Sequence, residues 1–135
     1  MSKILIIENG KNFCKECASS LRARGYQIVL SDDVMEALRE VSVFGVSLIL
    51  WDAQHKDPAK SRKLKAIKRY HRYTPLLVMD DDNSTYKDDM DSYTILLKTD
   101  KTVNDVVSEI LTRVGPPPVF SKKDDYETEE YELTE

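Results

Sequence analysis

The chain has 135 residues, 41% hydrophobic and 33% charged, with four glycines and five prolines. A chain of this size buries roughly two-thirds of the surface it exposes when unfolded, so one core suffices and a mini-protein held by disulfides or a structural metal is excluded. The net charge of −4 is unevenly spread: residues 121–135 carry seven acids against two lysines, while Lys56 to Arg72 carries eight basic residues against Asp57.

Short apolar runs alternate with longer segments of helical period. Lys3 to Ile7 (KILII) reads as a buried strand and is followed by the polar turn Glu8 to Asn12. Phe13, Cys14, Cys17, Ala18 and Leu21 fall on one helical face, which predicts a first helix from about Lys11 to Arg24, stopped by Gly25. Tyr26 to Leu30 is the second strand, and Asp32 and Asp33 offer caps for a second helix that turns Val34, Ala37, Leu38 and Val41 inward. Val46 to Trp51 is the most continuous apolar run and the expected central strand, ending at Asp52. Pro58 suits the first position of a third, basic helix that docks through Leu64, Ala66, Ile67 and Tyr70 and ends near Arg72.

Leu76 to Met79 is the fourth strand, ending at Asp80, and residues 81–91 are short and polar. Tyr93 to Leu97 is the fifth strand, ending at Lys98. Asp100 is placed to cap a last helix with an apolar face of Val103, Val106, Val107, Ile110 and Leu111, stopped by Gly115. The organisation is therefore a unit over 1–114, then a Pro-rich spacer and an acidic tail over 115–135, whose composition reads as disordered.

The first apolar run is only four residues long, where a secretory signal needs about 7 to 15. The stretch from Val43 to Trp51 falls short of the roughly 20 residues of a membrane span. A cytoplasmic protein without membrane association is the expectation. Cys14 and Cys17 lie within a predicted helix, on or beside its apolar face, and read as ordinary core residues in a reducing compartment. His55 and His71 are isolated in pattern, support no zinc site and read as surface residues.

Five strands with long crossovers imply an α/β, doubly wound parallel sheet covered on both faces. Ligands of such sheets bind outside the carboxyl ends of the strands, where this sequence places Glu8 with Asn9, Asp52, Asp80 and Lys98. Carboxylates gathered at one edge raise one another's pKa and attract a hard divalent ion such as Mg²⁺. A carboxylate there can also act as a nucleophile toward phosphorus, which makes Asp52 the candidate.

KILIIEN, SLILWD, TPLLVMD and the lysine of YTILLK, in this order and spacing, resemble the response-regulator receiver (CheY-like) domain, over residues 3 to about 114. DDVMEALREV is similar to the family's second helix. The resemblance implies a flavodoxin-like five-stranded sheet of order 2-1-3-4-5, with helix four shortened or missing because the stretch from Asp80 to Lys98 is short. It implies a phosphoryl acceptor at Asp52, a phosphoryl contact from Lys98, and Asp80 standing at the Ser/Thr switch position. Its metal set is Glu8, Asn9, Asp52 and the Gln54 backbone carbonyl, holding Mg²⁺ weakly because Asn9 replaces an acid. Further departures are Asp80 itself, which replaces a hydroxyl by a charge, Ile95 at the aromatic switch position with Tyr93 two residues away on the same sheet face, and Pro58, which comes late after Asp52. Ser84 or Thr85 restores a hydroxyl only if the loop folds back.

Three functions follow. The first is a stand-alone receiver in two-component phosphorelay signalling, phosphorylated on Asp52 by a sensor histidine kinase and acting by protein contact. The second is a pseudo-receiver, an interaction module that works without phosphorylation, with Asp80 and Lys98 as a fixed ion pair. The third and most remote is an anion or nucleic-acid binder using helix 56–72; no nucleic-acid motif accompanies that helix, and a solvated face is its default reading. An enzyme is disfavoured, since no Gly-rich phosphate loop or nucleophile elbow occurs, and at most self-phosphorylation and autodephosphorylation are expected. The opposite charges of the tail and helix three also raise an intramolecular contact between them.

Overall fold

Five apolar runs become parallel strands: β1 (Lys3–Ile7), β2 (Ile28–Ser31), β3 (Val46–Asp52), β4 (Leu76–Met79) and β5 (Thr94–Leu97). The computed structural model describes residues 3–41, 45–54, 56–81, 86 and 90–117. The strands form one sheet in the order β2-β1-β3-β4-β5, so the expected flavodoxin-like topology is present and β3 is central. Among the described residues four α-helices cover it: α1 (Asn12–Ala23), α2 (Val34–Glu40), α3 (Lys60–Tyr70) and α4 (Val103–Val114). Among the described residues no α-helix lies between β4 and β5, where Tyr86 belongs to a 3₁₀ turn, and none of the helices is long and apolar enough to cross a membrane.

Side chains along a strand alternate between faces, and the buried strands divide accordingly. Ile4, Ile6, Leu48, Leu50, Leu77 and Met79 pack with Cys14, Cys17, Ala18 and Leu21 of α1 and Val106, Val107 and Ile110 of α4. Leu5, Ile7, Ile49, Trp51, Leu76 and Val78 pack on the other face with Val34 and Ala37 of α2, Leu64 and Ile67 of α3, and Tyr86. Each two-residue step thus serves two cores.

Helix α3 departs from expectation. Its buried residues are Lys60, Leu64 and Ile67, while Tyr70 is 53% exposed. At about 100° per residue, Lys60, Leu64, Ile67 and His71 cluster on one face and Tyr70 sits about 80° away from it. The same geometry corrects the reading of His71 as a surface residue: it is buried, with Nδ1 lacking a partner among the described residues, and burial holds its pKa below the ordinary value. His55 lies outside the described residues.

Helix starts also differ in detail. Asp33 caps α2, its carboxylate accepting from the Glu36 N–H at 2.9 Å. Asp100 does not cap α4; Thr102 does, through a capping box with Asp105 that satisfies two backbone donors reciprocally. Pro58 lies in the turn before α3, where Asp57 accepts from the Ala59 N–H at 2.8 Å and pairs with Lys63 at 2.5 Å. Gly115, at φ +69°, ends α4 in the left-handed region.

Candidate functional site

Backbone hydrogen bonds continue past the strand ends and carry the polar residues to one edge. Glu8 N–H donates to Ser31 O at 2.8 Å, Ala53 N–H to Met79 O at 3.2 Å, and Asp80 N–H to Leu97 O at 3.0 Å. A cleft of about 420 Å³ opens there. Asn9, Asp52, Gln54 and Asp80 line it together with Lys11, Lys56, Asp81 and Thr99. Glu8 and Lys98 are not among its lining residues.

Asp52 closes β3 with 8% of its surface exposed. Its Oδ2 accepts from the Cys14 thiol at 3.8 Å. Burial raises the Asp52 pKa above the usual carboxylate value; Lys11 and the thiol hydrogen bond oppose this, while Asp80 and Glu8 add to it. Burial also makes both cysteines weakly acidic, Cys17 reaching about 11 and Cys14 rising further beside Asp52. They are inert core thiols, not a redox pair.

Asp80 is 1% exposed and reaches Lys60 of α3. Its Oδ2 accepts from Lys60 Nζ at 2.6 Å and from the Tyr86 hydroxyl at 2.7 Å. Lys60 is itself 4% exposed and lies 5.6 Å from the centre of the Tyr86 ring, which meets Trp51 edge-on at 6.3 Å. The expected pairing of Asp80 with Lys98 is therefore replaced by pairing with Lys60. Alternation explains it: one step beyond Met79 leads to the α2/α3 side, where Lys60 occupies an apolar-stripe position of α3.

Lys98 is exposed and forms no ion pair with a described residue. The next residue, Thr99, makes the contact at this edge: its N–H donates to Asp81 Oδ1 at 2.9 Å and its hydroxyl donates to Asp81 Oδ2 at 2.6 Å, tying the turns after β4 and β5. Tyr93 also departs from the expected face, since β5 starts at Thr94 and Tyr93 stands in the preceding turn, 40% exposed and edge-on to Tyr73. Ile95 is half-buried against the α1/α4 core. Ser84 and Thr85 lie outside the described residues.

The residues expected to hold Mg²⁺ are not gathered into a ligand set in this arrangement. Glu8 Oε1 accepts from the Gly10 N–H at 2.5 Å, and Asn9 Oδ1 from the Lys11 N–H at 3.3 Å. The Gln54 carbonyl accepts from the Asp57 N–H at 3.0 Å. Of that set only Asp52 brings a carboxylate to the cleft wall, and two lysines, Lys11 and Lys56, face the same space. Among the described residues no three His, Cys, Asp or Glu side chains converge as metal ligands. A hard divalent ion needs several oxygen ligands at one point, and the described residues do not bring them together here.

Lys60, Tyr86, Lys11, Lys56 and Thr99 were not among the residues the sequence singled out for this edge. Lys60 carried a readable signal, a lysine in register with the apolar residues Leu64 and Ile67. Tyr86 carried a weaker one, as the lone aromatic of a polar stretch.

The sequence matches no family model and no curated protein sequence. Comparison with solved structures gives consistent neighbours. The chemotaxis protein CheY4 of Vibrio cholerae is 20% identical with a TM-score of 0.66, over 85% of this chain and 99% of that one. A receiver domain protein (CheY-like) of Methanospirillum hungatei JF-1 is 14% identical with a TM-score of 0.67, over 84% and 94%. The receiver domain of the hybrid histidine kinase CckA is 18% identical with a TM-score of 0.64, over 84% and 100%. The chain has the receiver fold. Within it, the strand-end edge carries a buried Lys60–Asp80–Tyr86 cluster, and no converged acid set occurs among the described residues.

Proposed function

We propose that the chain is a receiver-fold signalling module that acts by protein contact and whose switch position is held by a fixed ion pair in place of a phosphorylation-dependent hydroxyl. The observation that carries this reading is the buried Asp80, held by Lys60 and Tyr86 at 2.6 and 2.7 Å. In the receiver pattern that position donates a hydrogen bond to a phosphoryl oxygen; a carboxylate there repels one. Swinging Asp80 out would leave Lys60 buried without its carboxylate, a change that costs several kcal/mol, about 3–5 for comparable buried pairs. Such a module needs no chemistry of its own and recruits a sensor histidine kinase or another signalling protein in the cytoplasm through its surface. The functional unit spans 1–114, and 115–135 is an appended spacer and tail.

The second reading keeps Asp52 as phosphoacceptor in a phosphorelay. It is favoured by the position of Asp52 on the cleft wall with Lys11 and Lys56, two cations suited to phosphoryl oxygens, and it assigns Lys98 a further contact after a turn rearrangement. Intact mass after incubation with a small-molecule phosphodonor and Mg²⁺, run beside Asp52→Asn, separates the two. The fixed-pair reading expects neither protein to gain mass while both stay folded. A labile phosphoryl adduct on the wild type alone establishes the phosphorelay reading instead.

A further inference from the structure

A second surface, distinct from the strand-end cleft, gathers several basic side chains. A groove of about 450 Å³ is lined by Lys65, Lys68, Arg69 and Arg72 of and just after α3, and by Asp91. Asp91 is already matched, since Lys68 Nζ lies 2.6 Å from its carboxylate and 2.7 Å from the Thr94 hydroxyl. Lys65, Arg69 and Arg72 are exposed and form no ion pair with a described residue. Beside them Tyr73, 69% exposed, and Tyr93, 40% exposed, stand edge-on at 5.6 Å, and Arg72 lies 5.8 Å from the Tyr73 ring centre. Three cations without an ion pair among the described residues, flanked by two open aromatic rings, are a surface for an anionic chain with aromatic side chains.

We infer that this groove is the docking site of the chain's own acidic segment, residues 118–135. The groove adjoins the edge where strands begin, because the Leu76 N–H at the start of β4 donates to Tyr93 O just before β5. The chain leaves α4 at the same edge: the Tyr26 hydroxyl donates to the Gly115 carbonyl, and Pro117 packs beside Gly25, ahead of β2. From β2 to β4 or β5 is three or four strand spacings, about 14–19 Å. Residues 118–135 reach up to ~60 Å when extended, so the span is no obstacle.

That segment carries seven acids, two lysines, Tyr126 and Tyr131, the complement of the groove in both charge and ring content. Tethering presents it at an effective concentration on the order of millimolar, ahead of any free polyanion. A partner that binds this groove must first displace the tail, so the contact is autoinhibitory.

The test uses the full chain bearing a nitroxide on Thr134→Cys; Cys14 and Cys17 are buried and stay unlabelled in the native protein. Amide signals of residues 65–73 and 93 should lose intensity severalfold at low salt, in a manner independent of protein concentration. Going from ~0.01 to ~1 M salt shortens the screening length from about 30 to about 3 Å and should restore them. Lys65→Glu/Arg69→Glu/Arg72→Glu should abolish the effect, as should changing Glu127, Glu129, Glu130 and Glu132 to Gln, which leaves the folded unit untouched. Uniform broadening, or broadening confined to another face, overturns the inference. Broadening that grows with protein concentration assigns the groove to a second copy instead. Equal groove shifts on adding a single-stranded oligonucleotide to the wild type and to the Glu→Gln variant assign it to nucleic acid instead.

Discussion

Lys60 Nζ and Asp80 Oδ2 meet at 2.6 Å with side chains 5% and 0% exposed, one from the first turn of α3 and the other from the end of β4. Both charges have left water, so neither tolerates the loss of its partner. Lys60→Met should lower stability by about 3–5 kcal/mol in urea unfolding, whereas Lys60→Met/Asp80→Leu should recover most of that loss. Equal losses in the single and double variants would show that the pair is not coupled.

Tyr86 adds a neutral donor to the same carboxylate, and its ring also closes the α2/α3 core against Trp51. Tyr86→Phe keeps the ring and removes the donor, so a cost of about 1.5–3 kcal/mol is expected with the denaturant slope unchanged. Fluorescence of Trp51, the chain's one tryptophan, should keep its native emission maximum.

Asp52 has its folded-state pKa raised, chiefly by burial, above the unfolded value near 3.8. The folded state therefore holds this proton more tightly than the unfolded chain, and the wild type loses stability as pH rises from the unfolded value through the folded one. Asp52→Asn should be more stable than the wild type at pH 7, with the two melting curves converging in acid. A variant less stable than the wild type at pH 7 would contradict that sign.

His71 behaves in the opposite direction. Burial lowers its pKa, so as pH falls through the unfolded value near 6.5 the unfolded chain takes up a proton that the folded state refuses. Stability should drop from pH 7 to pH 5 in the wild type, and His71→Leu should flatten that part of the profile, read by urea midpoints at each pH.

Asp81 joins two turns through the Thr99 N–H and hydroxyl. Asp81→Ala should cost about 0.5–1.5 kcal/mol. Faster hydrogen exchange at Thr99 and Asp100 should accompany it, with β1 and β3 protected as before.

Much of the fold was legible because it rests on local rules. Runs such as Ile4–Ile7 and Leu48–Trp51 are apolar at every position, which only a sheet covered on both faces explains, and the 3.6-residue spacing of Cys14, Cys17, Ala18 and Leu21 placed α1 within a residue or two. Polar residues at the ends of β1, β3, β4 and β5 were likewise visible as breaks in those runs. Their directions were not. Asp80 and Lys98 are adjacent in topology, yet one is sealed against α3 and the other faces solvent.

The sequence by itself determined the strands, their covering helices and the set of groups delivered to one edge, because periodicity and strand ends are properties of neighbours along the chain. Only the tertiary structure decided which groups meet. Lys60 reads as one more cation of a basic helix until α3 is rotated so that Leu64 and Ile67 enter the core; the same rotation carries Lys60 in, 20 residues from its partner. Glu8 and the Gln54 carbonyl read only as strand-end oxygens until the folded loops show them accepting from the Gly10 and Asp57 N–H groups. A buried charge must find a counter-charge and a turn must satisfy its donors, and both demands are settled by packing in three dimensions.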